Sequence, residues 1–385
     1  MNYINRTMEA LLLEASKYFS VLAVTGPRQS GKSTLLGHLF PEAVRYSMKD
    51  VNVREFAEND PIAFLNSTKD VMFIDEVQKV PELFEYIQGI VDADPDRKFL
   101  LSGSSNFEIM KSVSESLAGR AGVYELLPLS LTEAGDIGFA KGLDEFLFDG
   151  LFPAVCSGKS VAKFFYPSYV RTYLEKDVRD LMNVKDMMQF TRFMKLCAAR
   201  VGSILNVSEI CSELGVDNKT ATSWLSVLTA SYVVYLLPPY FENISKRLIK
   251  SPKLYFTDPG LAAYLLDIEN PEQLSRDKMR GKIFENYVVM EAVKHRMNAG
   301  REGGVYFYRD SNGNEVDLLL KEEGRIQAFE IKSSMTYTKD FEKTLRNLPS
   351  WLNTPVERRA VVYAGDFENT AGEINIINYR NLSFI

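Results

Sequence analysis

Apolar residues in the first third of the chain fall into short dense runs, and further on they take helical spacing. "YFSVLAVT" (18–25), "DVMFIDEVQKVPEL" (70–83) and "RKFLLSGSSNFEI" (97–109) are of the first kind and suit buried strands of a parallel sheet. "STLLGHLF" (33–40) has the apolar spacing of a helix. Strand, loop, helix and strand in this order predict an α/β domain. From about Tyr166 the pattern changes, and "YPSYVRTYLEKDVRDLMNVKDMMQFTRFMKLCAARVG" reads as helices of mixed charge. "NVSEICSELGVDNKTATSWLSVLTASYVVYLLPPY" then predicts two short helices and a strand: Ser208 as a cap, "LGVDN" as a tight turn, Trp224, Leu225 and Leu228 turned inward, and "YVVYLLPPY" as a wing strand. The pattern is that of a winged helix-turn-helix. In the last section "KIFENYVVMEAVKHRM" is an amphipathic helix, followed by the strand-like runs "GVYFYRD", "NEVDLLLKEEG", "RIQAFEIKSS" and "RRAVVYAG".

The loop after the first strand is "GPRQSGKSTLL", Gly26 to Leu36, which has the G-x-x-x-x-G-K-S form of a phosphate-gripping loop. Gly26, Pro27, Arg28, Gln29, Ser30, Gly31, Lys32, Ser33 and Thr34 line the grip. Successive backbone N–H groups and a helix N-terminus meet the phosphates there. Lys32 reaches the β/γ-phosphates and Ser33 holds Mg²⁺. In a parallel sheet Asp75 and Glu76, at the polar end of the second run, stand beside this loop. Asp75 is the expected Mg²⁺ carboxylate, and Glu76 the group that orients and deprotonates the attacking water. Ser104, Ser105 and Asn106 end the third run, placed either to read a γ-phosphate or to cap the next helix. Arg120, in "SVSESLAGRAGVYELLPLSLTE", is a candidate to neutralise phosphate charge in cis or across a subunit contact.

Composition narrows the classes. Hydrophobic residues make up 46% and charged residues 25% of 385, the balance of a globular protein of two or three domains. Three cysteines without C-x-x-C spacing and two histidines argue against a disulfide framework, a zinc site or histidine acid–base chemistry. No run has membrane-span length and the first twenty residues do not read as a signal peptide, so a cytoplasmic protein without a membrane contact is expected. The net charge of −6 argues against bulk electrostatic attachment to DNA. Between Leu196 and Lys250 there are five Lys/Arg and four Asp/Glu, a thin footprint for phosphate backbone. Lys246, Arg247, Lys250 and Lys253 are the candidate basic patch on or after the wing. DNA, a protein partner and a nucleotide-dependent homo-oligomer are the partners left in play.

Asp317 and Glu330 lie on neighbouring strands if the last runs form a hairpin, and Lys332 shares the face of Glu330. Two carboxylates can chelate Mg²⁺ while a lysine steadies phosphate charge. With Glu285 on the preceding helix, the set resembles the PD-(D/E)xK nuclease core, active or relic.

"GPRQSGKSTLL", "FIDEVQ", "LLSGSS", "SLAGR", "PLSLTE", "YVRTYLEKDV", "KLYFTDPGLAAYLL" and "NEVDLLL" together resemble the prokaryotic AAA-related P-loop ATPases that carry a C-terminal domain of unknown function. The resemblance covers nearly the whole chain. It implies ATP with Mg²⁺, Lys32 as Walker A lysine, Asp75 and Glu76 as Walker B acids, Ser104 or Asn106 as polar sensor, and Arg120 as the arginine. It also implies a P-loop NTPase (AAA-like) α/β domain over 1–160, a central helical and winged-helix domain over 161–268, and a restriction-endonuclease-like α/β domain over 269–385.

Overall fold

The computed structural model describes residues 3–104, 106–174, 187–241 and 251–382. Two compact units divide the chain: Met1–Leu129 with Ala230–Tyr232 and Arg296–Arg301, and Ser130–Thr229 with Val233–His295 and Glu302–Ile385.

The first unit is built on strands β1 (Val21–Thr25), β2 (Val44–Ser47), β3 (Met72–Asp75), β4 (Phe99–Gly103) and β5 (Ala121–Glu125), all parallel, in the order β2-β3-β4-β1-β5. Strand alternation supplies two cores. Val21, Ala23, Met72, Ile74, Phe99 and Leu101 face one side. Leu22, Val24, Phe73 and Leu100 face the other, against helices α1 (Glu9–Ala15) and α2 (Lys32–Leu39). Burial on both faces is why these strands read as dense apolar runs. Register sets Ser47, Asp75 and Ser102 level with one another, so the C-terminal strand ends open on one edge of the sheet.

The second unit holds two sheets. β6 (Ser203–Ile204), β7 (Val234–Leu237) and β8 (Lys253–Phe256) form an antiparallel sheet in the order β6-β8-β7. The helices Val207–Leu214 and Asn218–Ala230 lie between β6 and β7 in the chain. Trp224, Leu225 and Leu228 are buried as expected, and Gly215 closes the first helix at φ 70. The cap is Asn206 rather than Ser208: its side chain accepts from the Glu209 N–H at 3.3 Å. β9 (Val305–Arg309), β10 (Glu315–Glu322), β11 (Arg325–Lys332), β12 (Val356–Tyr363) and β13 (Asn375–Asn378) form a mixed sheet in the order β13-β12-β11-β10-β9. β9, β10 and β11 are antiparallel neighbours, and β11, β12 and β13 run parallel.

A buried carboxylate ties the early helices of this unit to the "TDPGL" segment. Asp258 caps the helix Pro259–Leu265 by accepting from the Leu261 N–H at 2.9 Å. It also accepts from the Leu151 N–H at 2.7 Å and the Tyr166 hydroxyl at 2.7 Å. The Tyr166 ring presses so closely that a Cβ on Gly150 or Gly260 would lie 2.1 or 2.3 Å from its hydroxyl. Burial raises the Asp258 carboxyl above its ordinary range, against the three donors. Asp258→Ala strips three buried donors of their acceptor and is expected to destabilise this unit by about 3 kcal/mol. Scanning calorimetry should show a lowered transition for it, and a smaller loss for Asp258→Asn, which keeps an acceptor oxygen.

Candidate functional site

The P-loop turns sharply out of β1. Gly26 sits at φ 144, and a Cβ there would lie 2.2 Å from the Leu126 carbonyl oxygen, so only glycine fits. Gly31, at φ 101, is the cap of α2. Arg6 braces the loop from beneath, donating to the carbonyls of Ser30 and Leu127 at 2.8 Å each. Lys32 folds back onto the loop, donating to the Gly26 and Pro27 carbonyls at 2.8 and 2.7 Å. Burial lowers its ammonium to about 8, against the pull of Glu76 and Asp75. Pro27 and Ser30 are buried, Arg28 is half-buried, and Gln29 and Thr34 are exposed. The Ser30 hydroxyl is buried and without a hydrogen-bond partner among the described residues.

Asp75 and Glu76 lie against this loop. Asp75 Oδ1 accepts from Ser33 at 2.8 Å and Ser102 at 2.5 Å, and Oδ2 from Arg45 at 2.9 Å. Glu76 adopts a left-handed backbone, φ 58 and ψ 44. Its Oε1 meets Lys49 Nζ at 2.7 Å, and its Oε2 accepts from Gln78 at 2.7 Å and Ser104 at 3.4 Å. Burial pushes both carboxyls up, but neighbours reverse it. Ser102, Ser33 and Arg45 hold Asp75 below its ordinary value; Lys49, Arg28 and Lys32 do so for Glu76. Among the described residues no three His, Cys, Asp or Glu form a metal cage. A hydroxyl beside one carboxylate is the protein share of a magnesium site completed by phosphate and water oxygens. Of the sensor candidates, Ser104 stands at Glu76. Ser105 and the side chain of Asn106 lie outside the described residues.

In the second unit the structure gathers Glu285, Asp317, Glu330 and Lys332. Lys332 Nζ is 2.5 Å from Glu330 Oε1 and 3.8 Å from Asp317 Oδ2. Asp317 also accepts from the Ile331 N–H at 2.9 Å. Glu285 Oε1 accepts from Tyr255 at 2.7 Å and from Lys253 at 3.1 Å, and Lys282 holds Oε2 at 2.9 Å. Lys253 corrects the expectation of a surface patch. It is 1% exposed, 2.6 Å from Glu315 Oε1 and 3.9 Å from Asp317 Oδ1, because β8 pairs on both edges and turns this side chain inward. Lys246, Arg247 and Lys250 lie outside the described residues. Burial, then Asp317, raises Glu330 to about 8. Its Oε2 is buried with no partner among the described residues.

A profile described as an AAA domain matches residues 18–135, and two domains of unknown function, DUF8612 and DUF4143, match 140–272 and 280–382. The uncharacterized protein Rv2008c of Mycobacterium tuberculosis is 31% identical over 366 residues, covering 94% of this chain and 80% of its own. The chain belongs to that protein's family. The uncharacterized protein MJ1544 of Methanocaldococcus jannaschii is similar at 23% identity, covering 84% of this chain and 76% of its own. Among solved structures, a Walker-type ATPase of Pyrococcus abyssi is similar at TM-score 0.49 and 16% identity, over 68% of this chain and 96% of that one. Among the described residues no helix is long and apolar enough to cross a membrane.

Arg120 is the site expectation that fails within one chain. Its carbonyl accepts from the Val21 N–H at 3.3 Å, at the start of β1, while the P-loop leaves from the end. Five residues of strand put about 13 Å between those edges, and the guanidinium is instead paired with Asp92. Residues not singled out in the sequence do reach the site: Arg6, Arg45, Lys49, Gln78 and Ser102. Tyr232 joins them at the strand end before the loop, its hydroxyl 2.6 Å from Thr25 Oγ1 and donating to Glu125 at 2.9 Å. Ser102 lies inside "LLSGSS" and Gln78 inside "FIDEVQ", so nearness in sequence was the signal that could have found them; Arg45 and Lys49 needed the strand order. Arg120→Ala is expected to leave nucleotide affinity of the dilute chain within about two-fold of wild type, measured by fluorescent-nucleotide titration. A ten-fold loss there would place the arginine at its own nucleotide.

Proposed function

We propose that this chain binds ATP with Mg²⁺, hydrolyses it, and uses the nucleotide state to set the behaviour of its C-terminal half. The observation that carries this reading is the convergence of Lys32, Ser33, Asp75 and Glu76 at one sheet edge, with Ser33 donating to Asp75 at 2.8 Å. The cradle fits a triphosphate: glycine where a Cβ would strike backbone, a helix N-terminus, and a buried serine hydroxyl left over. Lys32 would exchange two loop carbonyls for phosphate oxygens, which restores the charge that burial opposes. Ser33 and Asp75 would hold the magnesium ion, whose contribution when bound is to neutralise phosphate charge. Glu76 would take a proton from the attacking water at its carboxylate, with Ser104 as the polar sensor beside it. Arg120 remains a candidate only across a subunit contact, in a nucleotide-dependent homo-oligomer.

For the tail, three lysines and a tyrosine already engage the acids, and this favours a recognition role for a protein partner over metal-dependent cutting of DNA. The two short helices before β7 and β8 support the winged-helix reading of the middle region, and the acid–lysine cluster on β10 and β11 supports a nuclease-like ancestry.

Lys32→Ala is expected to weaken ATP binding at least ten-fold. Glu76→Gln should bind ATP normally and turn over at least 100-fold more slowly, measured by phosphate release. Equal turnover in wild type and Glu76→Gln would remove Glu76 from its role. In a second test, wild type and an Asp317→Ala/Glu330→Ala double variant are incubated with single-stranded, duplex and branched DNA, Mg²⁺ or Mn²⁺, and ATP. No cleavage by either is expected; cutting by wild type alone would establish the nuclease.

A further inference from the structure

Glu76 is an unusual residue to carry a left-handed backbone. A non-glycine side chain at φ 58 holds its place only where surroundings fix it. The conformation swings the carboxylate off the end of β3 and out of line with Asp75. Three elements then seize it. Ser104 follows β4, Gln78 lies in the turn after β3, and Lys49 comes two residues after β2.

Lys49 is placed by the sheet. β2 pairs with β3 so that Ser47 stands beside Asp75, and the Met48 N–H donates to the Asp75 carbonyl at 2.9 Å. Met48 is fully buried in the core. The following residue therefore points the other way, over the mouth of the site. Its ammonium meets Glu76 Oε1 at 2.7 Å although the lysine side chain is 57% exposed and the glutamate side chain only 8%. With Arg120 at the far edge, the cation touching the Glu76 carboxylate is one the first unit supplies itself.

We propose that Lys49 is a positioning residue for hydrolysis, fixing the carboxylate of Glu76 in the orientation from which it meets the attacking water. Gln78 and Ser104 grip Oε2 alone, and a carboxylate held by one oxygen turns about its own bond. Lys49 supplies the second point and so selects one orientation. A base must lie within hydrogen-bond reach of the proton it takes, and small misplacements at such a centre are costly in rate. Because Lys49 touches Glu76 and not the phosphate loop, its removal should act on turnover rather than on binding.

The inference rests on the ATPase reading, and the experiment separates the two. Full-length wild type, Glu76→Gln, Lys49→Met and Lys49→Arg are compared for phosphate release and for binding of a fluorescent ATP analogue with Mg²⁺. Lys49→Met is expected to lower kcat about ten-fold or more while Kd stays within about two-fold, and Lys49→Arg to recover most of the rate. Lys49 is mostly exposed, and retained analogue binding reports an intact fold. Unchanged kcat in Lys49→Met, a raised kcat, or a loss confined to Kd would each overturn the positioning role. If wild type itself releases no phosphate, the ATPase reading falls and takes this one with it, an outcome distinct from a failure of Lys49 in an active enzyme.

Discussion

Asp75 is a buried carboxylate that accepts from Ser33 on α2, Ser102 on β4 and Arg45 on β2, and much of the first unit is arranged around satisfying it. An ionised carboxylate in a low-dielectric interior is costly unless donors converge on it. Three donors on three elements converge only if β2, β3 and β4 are adjacent and in register, and if the P-loop delivers α2 to the same edge. The sheet order β2-β3-β4-β1-β5 meets those conditions. The same requirement brings the end of β3 and the start of α2 together at the phosphate-loop edge of the sheet.

Legibility in the sequence follows how local each feature is. The P-loop was readable because its geometry depends on eleven contiguous residues, two of them glycines at positive φ. The strands were readable because both faces are buried. The cis role of Arg120 fails because distance in sequence from the P-loop says nothing about where β5 begins; parallel pairing with β1 puts Arg120 beside the start of β1, away from the P-loop of its own chain. Arg45 and Lys49 were passed over for the converse reason. Nothing around them marks a site until β2 is known to neighbour β3. Lys253 looked like a continuation of a basic run, yet β8 lies between β6 and β7 and carries the ammonium into an acidic interior.

Motif-like stretches divide by the work they do. "TDPGL" is explained by Asp258, whose three donors and the tightly packed Tyr166 make the surrounding glycines obligatory. "SLTE" is a capping box: the Ser130 N–H donates to Glu133 at 2.9 Å and the Glu133 N–H to Ser130 Oγ at 3.2 Å. These segments carry architecture, whereas the residues of "GKS" and "FIDE" meet at one edge of the first sheet, Ser33 donating to Asp75 at 2.8 Å. A signature spread over nearly the whole chain is therefore no measure of how large the candidate site is.

The tail cluster has an electrostatic logic that bears on what it can host. Glu285, Glu315, Asp317 and Glu330 face Lys253, Lys282 and Lys332. Burial and Asp317 raise the Glu330 carboxyl to about 8, and Arg309 also pairs with Glu315 at 2.9 Å. A divalent cation entering the cluster would face Lys253 at close range. Lys253, carried by β8 and 1% exposed, lies 2.6 Å from Glu315 and 3.9 Å from Asp317, so the negative charge of these acids is answered from within the unit.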